Sequence, residues 1–164
     1  TEAPLENGSE VPFMGQPHQL SLNHNAETMN GHAIIPLTIH SDLNNQEEIK
    51  LALRLFYKKQ ARGYIKKRTS FWIEQMNLSP SGIAITSPKR QWGSCSPDNV
   101  IRLNWRLILM PKDVIDYVII HELAHIKHKN HGSWFWKLVS KYSPDYKIWR
   151  GTLRQWEKRY PSSF

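Results

Sequence analysis

The sequence of 164 residues predicts an α+β fold, a short antiparallel sheet packed on a central helix with further helices at the C-terminal end. Three observations predict it. Short β-branched runs bounded by Gly, Pro and Asn fall in two places, within 11–39 and within 83–104. Longer stretches, from 46 to 77 and from 111 onward, repeat apolar residues at helical spacing. One of these, Val114 to Ala124, is apolar over more than half its circumference, as expected of a helix packed on several sides. Composition agrees, with 40% hydrophobic and 22% charged residues and no uninterrupted apolar run of membrane-spanning length.

The elements follow in order. Residues 1–10 are polar, with Pro4 and Gly8, and read as a flexible leader to one domain over 11–160. Val11–Met14 and His18–Asn23 flank Gly15-Gln16-Pro17 and read as a hairpin or as short edge strands. Ala33–Ile39 reads as a strand that Pro36 confines to a sheet edge. His18, His24, His32 and His40 lack ligand-like spacing. Asn45, with Glu48 three residues on, resembles a capping box that starts a helix over 46–61. Gly63 is expected to weaken or kink it before a second helical stretch over 64–77. Ser79-Pro80-Ser81-Gly82 breaks the chain. Residues 83–87 and 100–104 read as two strands joined across a polar loop that begins at Lys89-Arg90, which would make an antiparallel ribbon. Pro111 and Asp113 suit the first turn of the central helix. Beyond it, Trp134, Phe135, Leu138, Val139 and Tyr142 make one helical face, and Ser143-Pro144-Asp145 starts another helix. In that last helix Tyr146, Trp149, Leu153, Trp156 and Tyr160 form an aromatic packing seam.

The central helix ends in His121-Glu122-Leu123-Ala124-His125. Two histidines four residues apart share one helical face, and neutral imidazoles so placed can hold one zinc ion. Glu122 flanks that face and reaches a water on the metal without ligating, as a general base must. A catalytic zinc usually has a third protein ligand and an open position. His128 lies about 10 Å along a straight helix from His121, too far to converge on bonds of about 2 Å. His131 is preferred, provided that the helix stops near Lys129-Asn130 with Asn130 in the left-handed conformation. The spacing then equals that of metzincins. Yet His128 stands where they carry glycine, and all four methionines precede the motif, so that assignment fails.

Several ordered blocks carry a further resemblance. Trp92-Gly93-Ser94-Cys95-Ser96, Ile101-Arg102-Leu103-Asn104-Trp105-Arg106-Leu107, Pro111, the run from Asp116 to His125, and Asn130-His131-Gly132-Ser133 with Phe135-Trp136 resemble the YgjP-like metallopeptidase family, once catalogued as a domain of unknown function. The strong match runs from about 83 to 153. The resemblance implies a small zincin-like peptidase fold, usually cytoplasmic and bacterial or archaeal. It carries over His121, His125 and His131 as ligands of Zn2+ and Glu122 as catalytic acid/base, acting on a peptide or protein substrate.

Other features bear on function. Cys95 is the one cysteine, so no intrachain disulfide forms, which favours a reducing compartment. Its thiol is a conceivable occupant of the zinc's open site, though an inert loop thiol is the better reading. The net charge is +8, much of it after the motif, with Lys147, Arg150, Arg154 and Lys158 off the aromatic seam. A nucleic-acid-associated protease recruited by this surface is therefore a second reading, and a non-catalytic zinc-stabilised domain a third. A solvated helix face is preferred to nucleic-acid binding, and no membrane association is expected. Tyr117, Tyr142, Tyr146 and Arg150 are conceivable donors to a tetrahedral intermediate, and spacing selects none. Asp113 and Asp116 are conceivable acceptors for histidine N–H groups.

Overall fold

Helix α2 (Lys112–Ala124) is enclosed because nine of its residues are buried, among them Val114, Ile115, Ile119, Ile120 and Leu123. A computed structural model describes residues 3–23, 28–29, 32–88 and 91–159. His24, Lys89, Arg90 and Tyr160, and the side chain of His32, lie outside the described residues.

Strands β1 (Glu10–Phe13) and β2 (Gln16–Leu22) form the expected hairpin. Its turn lies at Met14-Gly15, both at positive φ, as a two-residue hairpin with the strands' own twist requires. The tip is tied inward, with Met14 N–H donating to Ile108 O at 2.8 Å and Gly15 N–H to Leu109 O at 2.9 Å. β3 (Thr28–Met29) and β4 (His32–Leu37) complete a sheet of order β1-β2-β4-β3, with β2 and β4 parallel. Pro36 is not on an edge strand as expected. It pairs with Ser21 on one side, and the short β3 reaches only Ala33 and His32 on the other, so no ladder N–H is missed there. The leader is anchored too. Leu5 and Gln46 exchange two hydrogen bonds of 2.7 Å, backbone to side-chain amide, and Gly8 N–H donates to Leu20 O.

Helix α1 (Gln46–Met76) runs unbroken through Gly63, against the expectation of a kink. Gly63 is exposed and a Cβ there would meet nothing, so only its intrinsic helix penalty of about 1 kcal/mol opposes continuity. The stripe Ile49, Leu53, Tyr57, Ala61, Ile65 and Thr69 is buried at every fourth residue and holds the helix together. Asn45 caps it by accepting from Glu48 N–H, but the Glu48 carboxylate accepts from His40 N–H and Ser41 Oγ instead of closing the capping box. Asn77, at φ 52°, ends it, with Leu78 N–H donating back to Ile73 O.

The second sheet contains β5 (Gly82–Thr86), β6 (Gly93–Cys95) and β7 (Val100–Asn104) in the order β5-β7-β6. β5 and β7 are parallel, so the expected antiparallel ribbon of these two is incorrect. The loop itself supplies the antiparallel partner: β6 folds back on β7 and forms one edge of the sheet, opposite β5. Asn104 fixes that loop. Its amide donates to Pro88 O and Gln91 O, its Oδ1 accepts from Arg106 N–H, and its own N–H donates to Trp92 O. Ile101 and Leu103, fully buried, face the core with Trp105 and Phe135. Helices α3 (Ser133–Tyr142) and α4 (Tyr146–Arg159) then close over α2, α4 without one fully buried residue.

Candidate metal centre

The end of α2 builds the site. His121 and Glu122 occupy its last turn, and His125 caps it. The helix therefore stops earlier than expected, and Asn130 is not left-handed. Tight turns end it instead: His125, Ile126 and Lys127 N–H donate three residues back, to Glu122, Leu123 and Ala124. This early stop frees residues 128–131 to fold back over the helix end.

The fold-back brings His131 to His121 and His125. Their potential ligand nitrogens all lie within 4.8 Å of one another, and among the described residues no cysteine or carboxylate joins them. His125 Nε2 and His131 Nε2 are 3.1 Å apart. Two imidazole nitrogens on a tetrahedral zinc, with bonds of about 2.05 Å, lie about 3.3 Å apart, so the residues fit such an ion. His125 Nδ1 lies 2.9 Å from His128 O, and this carbonyl is its natural N–H acceptor, leaving Nε2 a free lone pair. His128 thus contributes its carbonyl, and its imidazole is outside the cluster. Partial burial, and then the neighbouring His125 and His121, push the His131 pKa below the ordinary histidine value. A neutral imidazole is the form a metal needs. The cluster is graded in burial, His125 buried and His131 exposed, so it opens toward solvent on one side.

Aromatic rings fix the three imidazoles. Phe135, fully buried, stacks on His125 at 4.4 Å and meets His121 and His131 edge-on, each at 5.0 Å. Trp136 lies 5.8 Å from His121 and 6.0 Å from His131, and stacks on Tyr146 at 5.0 Å. The helical period assigned Phe135 to a packing face but did not show that the packed object is the histidine cluster. Its place four residues after His131 is the available signal.

Glu122 is buried, with Oε1 3.3 Å from His121 Nδ1. Of the conceivable donors, Arg150 stands over Trp136 and Tyr146, and Tyr117 meets His121 edge-on at 5.8 Å. Burial pushes the Tyr117 pKa up to about 12, so its hydroxyl keeps its proton. Tyr142 packs instead on Trp72. Asp116 is not available to the histidines, because Arg68 Nε and Nη2 donate to its two oxygens at 2.9 and 2.8 Å. Cys95 is half-buried on β6, its thiol pKa raised by burial, with Lys129 Nζ 3.9 Å away.

Comparison with known proteins decides the lineage. The model of the YgjP-like metallopeptidase domain matches residues 1–156. The chain belongs to this family. It is therefore a metallopeptidase, a metal-binding hydrolase with peptide or protein substrates. The fold is similar to the crystal structure of the metallopeptidase zymogen jannalysin of Methanocaldococcus jannaschii, at 26% identity and a TM-score of 0.50, over 56% of this chain and 94% of that one. The abylysin zymogen of Pyrococcus abyssi is more distant, at 21% identity and 0.47, over 56% and 95%. No curated protein matches the sequence. Among the described residues, no helix is long and apolar enough to cross a membrane.

Proposed function

We propose that the chain is a zinc-dependent peptidase, in which His121, His125 and His131 hold the ion and Glu122 is the general base and acid. The observation that carries the reading is the convergence of three imidazoles beside a buried carboxylate, in a cluster open on one side. An all-nitrogen set of three suits zinc, and the open side suits a catalytic rather than a structural ion. Bound there, zinc supplies Lewis acidity, polarising a scissile carbonyl and making water acidic near neutral pH. Glu122 takes the proton of the attacking water and returns it to the leaving amine. Its burial keeps competing water away and strengthens its electrostatic effect. β6, the edge strand of its sheet that lies against α2, offers backbone groups to an extended peptide. Tyr117, held protonated and edge-on to His121, and Arg150, over Trp136, are the candidate donors to developing negative charge.

The test compares wild type with Glu122→Gln for zinc content and for cleavage of an unstructured protein. The reading expects one zinc retained and cleavage reduced by about 100- to 10,000-fold. Equal cleavage by both refutes the role of Glu122.

A further inference from the structure

We infer that Gly93 is a positioning residue for Glu122: the missing side chain lets strand β6 press against the carboxylate and hold it in one rotamer. The inference rests on the reading of Glu122 as general base. A Cβ built on Gly93 would lie 2.8 Å from Glu122 Cγ, 3.0 Å from Oε2 and 3.2 Å from the carboxyl carbon. Real Cβ atoms essentially never show the approach to Cγ, and the other two are tighter than most. Backbone conformation does not explain the glycine, because its φ is not positive and any residue tolerates it. What explains it is the space that Glu122 occupies.

The contact is specific within the chain. Gly63, Gly132 and Gly151 would place a Cβ in open space, and Gly82 would make ordinary contact with Val100 at 3.8 Å. Gly15 is tight as well, but against Pro111 and at φ +79°, where a hairpin turn already demands glycine. At Gly93 alone among these does the tight approach face a side chain of the reaction centre.

Neither partner has room to retreat. Gly93 pairs with Leu103 on β7, and Leu103 is fully buried in the core. Trp92, the preceding residue, donates from Nε1 to Glu157 on α4 at 2.7 Å, and its carbonyl accepts from Asn104 N–H. At the other end of β6, Lys129 Nζ donates to Ser96 O at 3.4 Å and to Asn99 Oδ1, tying the strand to the segment that carries His131. Glu122 Cγ sits on the stem of its side chain, on a helix with nine buried residues, Leu123 and Ala124 beside it among them. An added methyl group therefore forces Glu122 into another rotamer. That moves the carboxylate and leaves the histidines in place. Displacements of about 1 Å at a reacting group cost about 100-fold in rate.

The experiment is a double-mutant cycle on the full, zinc-loaded chain: wild type, Gly93→Ala, Glu122→Ala and the pair, with Gly63→Ala as control and Glu122→Gln alongside. Zinc stoichiometry, Tm, kcat and KM are measured for each. Gly93→Ala should keep one zinc per chain and a KM within about twofold, and lose about 100-fold in kcat. Its Tm should fall in the wild-type background and not in the Glu122→Ala background, where the obstructing Cγ is gone. If Gly93→Ala fails to fold, the pair should restore folding. The inference is overturned by a Gly93→Ala enzyme with wild-type kcat, by an equal loss of Tm in both backgrounds, or by a pair that also fails to fold. A Glu122→Gln enzyme with wild-type cleavage overturns the underlying reading instead. An inactive Glu122→Gln beside an unimpaired Gly93→Ala overturns this inference alone.

Discussion

Helices α2 and α4 flank the same site and are built in opposite ways. α2 is buried along nearly all its length and carries His121, Glu122 and His125 at its end. α4 has no fully buried residue and lays one aromatic and aliphatic face, with Tyr146, Trp149, Leu153 and Trp156, onto the rest of the fold. The difference separates two tasks. Two of the three proposed metal ligands, His121 and His125, stand at the end of the element with least freedom, and the chain folds back beyond it to bring His131 to them. Arg150, proposed above as a donor and lying over Trp136, stands on the element with more.

Substitutions sharpen this contrast, beginning with the largest effect. Ile119→Ala empties a fully buried position on α2 and should cost about 2–5 kcal/mol, read as a lowered urea midpoint. Removing a proposed ligand at the end of the same helix should leave the fold but not the site. His125→Ala should lower zinc affinity by more than about 100-fold in a competition titration, since even outer partners of ligands are worth about 10- to 100-fold. Arg68→Ala breaks the paired bonds that tie α1 to Asp116 on α2. Both side chains are partly exposed, so the cost should be about 1–2 kcal/mol in denaturant unfolding, with zinc content unchanged. On α4, Leu153→Ala removes a half-buried side chain and should cost about 1 kcal/mol, again with zinc retained. A Leu153→Ala enzyme as destabilised as Ile119→Ala would break the contrast between the two helices.

Local order along the chain made much of this readable. The position of α2, its apolar circumference and the His121–His125 pair follow from helical period alone. The third histidine was reachable by arithmetic on helix rise, although the turn that returns His131 uses tight i to i+3 bonds and not Asn130. Pairing between distant strands was not readable. Alternation marks 83–87 and 100–104 as strands, but carries no information that β6 inserts beside β7 and leaves β5 parallel to it. The continuity of α1 through Gly63 was hidden as well, because the compensating burial of Ile65 and Thr69 is a tertiary effect. In the sequence Gly93 stands only within the block Trp92-Gly93-Ser94-Cys95-Ser96 that carries the resemblance. Its significance lies in what it touches across the fold, 29 positions further along the chain.

The central claim is the ligand set, and X-ray absorption at the zinc edge of the loaded protein tests it most directly. The account predicts nitrogen ligands at about 2.0–2.1 Å with imidazole scattering and no sulfur at about 2.3 Å. It further predicts that His131→Ala loses one imidazole from that shell, whereas His128→Ala keeps it. A sulfur ligand from Cys95, or a shell unchanged in His131→Ala and depleted in His128→Ala, would contradict it.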